Sequence, residues 1–176
     1  MTENEHPSWD YICHCIDMAS ALVAQVPDEF VEEGHKDAFK DAAGTRDGDG
    51  VWTPPKIALM LDLVNRMHDG LGISPNAPAA ALIGAEHWLR GAYAAALSRA
   101  TTIAMAVVCD CPDDDVLAIR CLQAASAMER AADPFRGGAK KAWDSVTKVM
   151  GCAGDHGRED AVGRLRVAQL YLGLLY

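Results

Sequence analysis

No proline interrupts the chain between Pro78 and Pro112, and this stretch constrains the fold more than any other feature. Within it Leu82, Leu89, Tyr93, Ala96, Ala100, Ile103 and Val107 recur at steps of seven, four and three. Such steps place side chains on one face of an α-helix, because residues three and four apart are neighbours on its surface. The spacing predicts a helix from Ala77 to Val108, roughly 50 Å long at 1.5 Å per residue. A helix of that length with one apolar seam serves as the central element of a bundle.

The remaining chain is written in the same period. Trp9, Ile12, Ile16, Ala19, Val23 and Val26 form the stripe of a first helix that starts after Ser8 and ends near Gln25. Pro27 and Asp28 predict a second helix through Ala43, closed by Gly44, with a thin stripe of Val31, Ala38 and Ala42 helped by Phe30 and Phe39. Thr53-Pro54 predicts the start of a third, burying Ile57, Met60, Leu61, Val64 and Leu71. After the long fourth helix, Asp110 to Asp115 caps a fifth that carries Leu117, Cys121, Ala124 and Met128. Asp133-Pro134 opens a sixth with Phe135, Ala139, Ala142, Val146 and Val149 in register, and a seventh runs from Arg158 nearly to Tyr176. Gly44 to Trp52, the Gly70-to-Pro75 region and Gly151 to Gly157 read as loops. No segment alternates with period two, and no repeat recurs along the chain. Thirty alanines against eleven aromatics favour helices packed closely through small side chains. The expectation is an all-α, single-domain bundle of about seven helices over residues 1–176, with residues 1–8 as a flexible tail.

Charge is segregated. Residues 1–50 hold twelve acids against Lys36, Lys40 and Arg46, so the entire net charge of −9 falls there. Residues 51–90 and 91–176 each balance. A local negative field attracts basic partners and repels phosphate backbones, which disfavours direct nucleic-acid binding. Glu29, Glu32, Glu33 and Asp37 read as adjacent exposed positions on the second helix and are the candidate binding residues. Arg136, Lys140, Lys141 and Lys148 form a modest basic patch with Trp143 as its one interleaved aromatic, which reads as surface charge.

Six cysteines occur without a secretory context, because Met1 to Ser8 is polar and acidic and lacks an apolar core. They read as reduced thiols, mostly small buried hydrophobes, in a cytoplasmic protein. The most apolar stretch, Gly91 to Cys109, carries Arg99 at its middle, which argues against a membrane partner. Beyond Arg166 the chain carries no charge. That end is expected either to close the core of one molecule or to join two copies as a homodimer.

Three motifs invite metal chemistry. Asp113-Asp114-Asp115 superficially resembles the aspartate-rich motif of terpene synthases, but Val116, Leu117, Ala118 and Ile119 follow it, and acids in a first helical turn are favoured by the exposed N–H groups. Asp47-Gly48-Asp49-Gly50 resembles the centre of an EF-hand. Aligned on Gly50, however, it puts Thr45 at the first ligand position and Lys56 where a bidentate Glu is required. The third set is His35, His68-Asp69, Glu86 and His87. Periodicity places His68 and Glu86 toward the apolar seams and His35 at the edge of its stripe, where polar groups need partners or a metal.

An upstream His followed by a His-Asp pair at the end of an apolar helix is similar to the HD-domain phosphohydrolases. That resemblance implies a divalent metal held by His35, His68, Asp69 and Glu86, activating water against a phosphate ester. The chain departs from the family where Lys36-Asp37 and a glycine-rich loop follow His35, and where Gly70-Leu71-Gly72 follows the pair. No phosphate-cradling glycine loop and no nucleophile elbow appears. The leading expectation is therefore a non-catalytic, cofactor-free regulatory or inhibitory protein. It would present its acidic N-terminal face to a basic protein partner, of the kind that handles nucleic acids. The metal-dependent phosphohydrolase is the alternative.

Overall fold

The computed structural model describes residues 7–44, 53–71 and 77–176. Residues 1–6 of the expected 1–8 tail, the Thr45-to-Trp52 loop with its EF-hand-like centre, and the break at 72–76 lie outside the described residues, whereas Pro7 and Ser8 are already helical. Seven α-helices follow in order: α1 Pro7–Ala24, α2 His35–Ala43, α3 Ile57–Gly70, α4 Ala77–Asp110, α5 Asp115–Arg130, α6 Gly138–Asp155 and α7 Glu159–Gly173. Single 3-10 turns at Asp28–Phe30 and Pro134–Arg136 complete the elements, and no strand occurs among the described residues. The all-α class expected from the periodicity is what the chain adopts.

The contacts divide the chain into two compact units, residues 1–95 and residues 96–176. In the first unit α1 packs on α2 and α2 on α3. Its fully buried large side chains are Ile12, Ile57, Met60, Leu61, Met67, Leu82 and Leu89. In the second unit α6 packs against both α5 and α7, over a core that includes Leu117, Met128, Leu165, Leu172 and Leu175. Small side chains line both interiors: Ala19, Ala85 and Ala92 in the first, Ala100, Ala124, Ala142 and Ala168 in the second, all fully buried. Among the described residues no polar or charged residue is buried. Only α4, among them, is long and apolar enough to cross a membrane. Its two stretches supply Leu82, Ala85 and Leu89 to one core and Ala100, Ala104 and Val107 to the other.

Four boundaries differ from the sequence reading, each for a local reason. The second helix does not begin at Pro27; one 3-10 turn forms there, and the helix starts at His35. The third begins at Ile57 rather than at Thr53-Pro54. Pro55 pushes the preceding residue toward extended backbone, so a Pro-Pro pair cannot form a regular first turn. The segment is instead pinned by the Lys56 N–H, which donates to the Ala42 carbonyl at 2.8 Å. Gly44, at φ +76°, makes this return feasible, because a Cβ there would collide with the Thr53 carbonyl oxygen.

Phe135 is the third difference. It belongs to the 3-10 turn capped by Asp133, not to the stripe of α6, and is exposed. Finally, α6 continues through Gly151 and Gly154 to Asp155, because Ala153 is fully buried and tertiary packing offsets the low helix propensity of glycine. The uncharged C-terminal end closes the core of the second unit: Tyr171, Leu172, Leu174 and Leu175 are buried, whereas Val167, Leu170 and Tyr176 are exposed.

Candidate functional site

The acidic segment is displayed by a break in the helix, not by a helix face. Pro27 is extended, one 3-10 turn covers Asp28–Phe30, and Val31 returns to extended backbone at φ −123° and ψ 135°. Gly34 then adopts φ +87°, left-handed backbone that glycine enters at little cost, and α2 starts at the next residue. Lys36 ties the excursion together. Its Nζ donates to the Val26 carbonyl and, at 2.7 Å, to Asp28 Oδ1. The four candidate residues therefore do not share one helix, as the sequence reading had them. Glu29 lies in the 3-10 turn, Glu32 and Glu33 in the bend, and Asp37 in the first turn of α2.

All four are exposed. Glu29, Glu33 and Asp37 take no ion-pair partner among the described residues, and Glu32 has only His35, with 3.7 Å between Nε2 and Oε2. The bend encloses an open groove of about 360 Å³ lined by Asp28, Val31, Glu32, Glu33, Lys36 and Asp37. Ionised carboxylates only accept hydrogen bonds, so such a rim suits lysine and arginine donors.

The proposed metal set is not gathered. Among the described residues no three His, Cys, Asp or Glu side chains come together as a metal site. Glu86 was expected on the buried seam, but Ala85 occupies that seam between Leu82 and Leu89. Glu86 instead pairs along the helix surface with Arg90 at 2.7 Å. His68 lies in the last turn of α3 and is half-buried, Asp69 beside it is exposed, and His87 is exposed. His35 has a side chain 20% exposed, with Nδ1 buried and lacking a hydrogen-bond partner. His14, on the surface as expected, meets the Trp88 ring edge-on at 5.5 Å.

In the second unit Asp110, Asp113 and Asp114 are engaged by basic groups from distant parts of the chain. Asp114 caps α5 by accepting the Leu117 N–H through Oδ1 at 3.0 Å, while its Oδ2 lies 2.7 Å from His156 Nδ1. Arg158 donates to Asp113 at 3.0 Å, and Arg164 to Asp110. The Arg158 hydrogen bond holds the Asp113 carboxyl below the usual carboxylate value. The bond to His156, with that to the Leu117 N–H, does the same for Asp114. Sequence reasoning assigned these acids to capping but missed their basic partners. The one available signal was the Asp155-His156-Gly157-Arg158 run, which spacing alone could not connect to residues some forty positions away.

None of the six cysteines forms a disulfide. Cys15, Cys111 and Cys121 are buried, as expected of small hydrophobes, and Cys109 is exposed. Burial, with neighbouring Cys111 and Cys152, pushes the Cys121 thiol up to about 11, which keeps it protonated and unreactive at neutral pH. Half of the basic patch is satisfied locally. Arg136 pairs with Asp133 at 3.1 Å, and Lys140 pairs with Asp144 at 2.9 Å while lying 4.3 Å from the Trp143 ring centroid. Set against protein-family models, curated proteins and solved structures, the chain matches none of them.

Proposed function

We propose that this chain is a non-catalytic regulatory protein that uses the acidic bend before α2 to bind a basic protein surface of the kind that handles nucleic acids. One observation carries the reading. Glu29, Glu33 and Asp37 are exposed without an ion-pair partner among the described residues, whereas Asp110, Asp113 and Asp114 are each met by a basic group. Unpaired like charges repel one another, so a concentration of them lowers stability slightly unless a partner neutralises it.

The test is association kinetics with a labelled oligo-arginine peptide as the basic probe. Neutralising the face with Glu29→Gln, Glu32→Gln, Glu33→Gln and Asp37→Asn should slow association about tenfold or more and flatten its salt dependence. Double-stranded DNA should compete for the peptide without itself binding the chain. A quadruple variant that associates as fast as the parent, with the same salt dependence, reduces the face to a solubility device.

A further inference from the structure

Lys140, Trp143 and Asp144 stand at positions i, i+3 and i+4 on α6, so their side chains are neighbours on one strip of its surface. The packing of α6 on α7 brings a fourth side chain to that strip. Leu174 and Leu175, which follow α7, are buried, and their N–H groups donate to the Tyr171 and Leu172 carbonyls. The segment anchored in this way sets the Tyr176 ring edge-on to Trp143, with 6.4 Å between centroids and 80° between planes. The Gln169 amide, donating to Thr147 at 2.6 Å, ties the same two helices together farther along.

The two rings form a corner, and an ammonium group sits in it. Lys140 Nζ lies over the Trp143 ring at 4.3 Å from its centroid and over the Tyr176 ring at 5.6 Å. The same nitrogen donates to Asp144 Oδ1 at 2.9 Å. The remaining side is open to solvent, since the Lys140 side chain is 55% exposed. Aromatic faces attract cations through the negative potential of the ring, and they accept methylated ammonium groups as well as bare ones. The carboxylate adds a requirement of its own, because a hydrogen bond at that distance needs an N–H. Lys140 holds its place only through a flexible stem and an exposed ion pair, which another cation can displace.

We propose that Trp143, Tyr176 and Asp144 form a binding site for a methylated alkylammonium that keeps one N–H, a dimethylated amine, and that Lys140 is its built-in competitor. The methyl groups of the ligand seat against the two rings, its N–H replaces that of Lys140 at Asp144, and Lys140 swings out to solvent. A primary ammonium gains nothing over Lys140, which is already tethered at the site. A trimethylammonium suits the rings but cannot donate to Asp144. Exposed Lys141 and Lys148 on the same helix repel a polybasic segment, so the ligand is a single ammonium. The site belongs to the second unit and is independent of the acidic-bend reading.

The experiment titrates the full chain, as parent and as Lys140→Ala, with dimethyllysine blocked at its α-amino and carboxyl groups. Binding is read by calorimetry and by the indole N–H signal of Trp143 in NMR. Lys140→Ala should bind at least about threefold more tightly than the parent, because the cation–π contact and exposed ion pair of Lys140 are worth about that much. Lys140→Arg, which restores a competing cation, should bind as the parent does. Adding Trp143→Ala to Lys140→Ala should abolish binding, and adding Asp144→Asn should weaken dimethyllysine while leaving trimethyllysine unchanged. Circular dichroism verifies that each variant is folded. No saturable binding to folded Lys140→Ala, equal binding by parent and Lys140→Ala, or equal binding of an uncharged isostere with carbon in place of the side-chain nitrogen overturns the proposal. Trimethyllysine that binds more tightly than dimethyllysine overturns the N–H requirement and with it the role of Asp144. Dimethyllysine within a polybasic peptide should bind more weakly than the blocked amino acid, and tighter binding of the peptide overturns the single-ammonium ligand.

Discussion

The two units use acidic residues in opposite ways. In residues 96–176 ten acids face ten bases, and three aspartates near the start of α5 reach His156, Arg158 and Arg164 across long stretches of chain. In residues 1–95 fifteen acids face six bases, and its Asp62–Arg66 and Glu86–Arg90 pairs are local i,i+4 pairs. The Asp28–Lys36 pair clips a bend and leaves the neighbouring glutamates exposed. The second unit therefore turns Asp110, Asp113 and Asp114 into cross-links between segments, whereas the acidic bend of the first leaves its carboxylates as a field. Exposed ion pairs contribute little stability, so the cross-links matter for fixing the α6–α7 junction against the start of α5 more than for total energy.

The largest effect expected from this comparison lies at the C-terminal end of the second unit. Leu172→Ala removes a fully buried side chain and should cost ~2–5 kcal/mol in denaturant unfolding. Leu170→Ala, two residues earlier but 66% exposed, should cost no more than about 0.5 kcal/mol. Equal effects would mean that the end of α7 does not close the core as described. In the first unit the sensitive point is backbone, not packing. Gly44→Ala forces a Cβ against the Thr53 carbonyl at φ +76° and should destabilise by about 1–3 kcal/mol. A neutral result would show that the α2-to-α3 return relaxes freely.

Acid should separate the two uses of carboxylate. Asp113 and Asp114 have folded-state values below the ordinary 3.8, so their contribution is present above that value and is lost as pH falls through the lower folded values. An Asp114→Asn variant should therefore show a lower Tm at neutral pH, and its deficit should shrink as pH drops below about 4. A deficit that stays constant down to about pH 2 would mean that the carboxylate charge contributes nothing there. The smallest effect belongs to the acidic bend. Its quadruple Gln/Asn variant should keep its Tm or gain a few tenths of a kcal/mol, since removed like-charge repulsion is worth about that much. A clear loss of stability would reveal that the face supports the fold, which would blunt the contrast between the units.

Much of the helical frame was legible because periodicity is a local property. The stripes of α1, α4, α5 and α6 were readable from residues three and four apart, and apart from half-buried Trp9 and exposed Phe135 their members are buried, Leu117, Cys121, Ala124 and Met128 on α5 among them. Where neighbours in space rather than in sequence decide, the reading failed. Gly151 and Gly154 looked like a loop, but Ala153 packs into the core and holds them helical. His68 followed its stripe in register, yet it lies in the last turn of α3, where the core stops covering the helix. Glu86 was displaced from the seam because small Ala85 takes the buried position, a choice that apolar spacing alone does not reveal.

The sequence by itself determined the all-α class, the long fourth helix and the confinement of net charge to the first 50 residues. These follow from short-range periodicity and from counting, neither of which needs a tertiary contact. Tertiary structure decided which acids are used. It set His156, Arg158 and Arg164 beside Asp114, Asp113 and Asp110, and it broke the expected second helix so that Glu32, Glu33 and Asp37 border a groove. The physical reason is range. Helix periodicity is read within one or two turns, whereas the partner of a charge is chosen by packing between residues far apart in the chain.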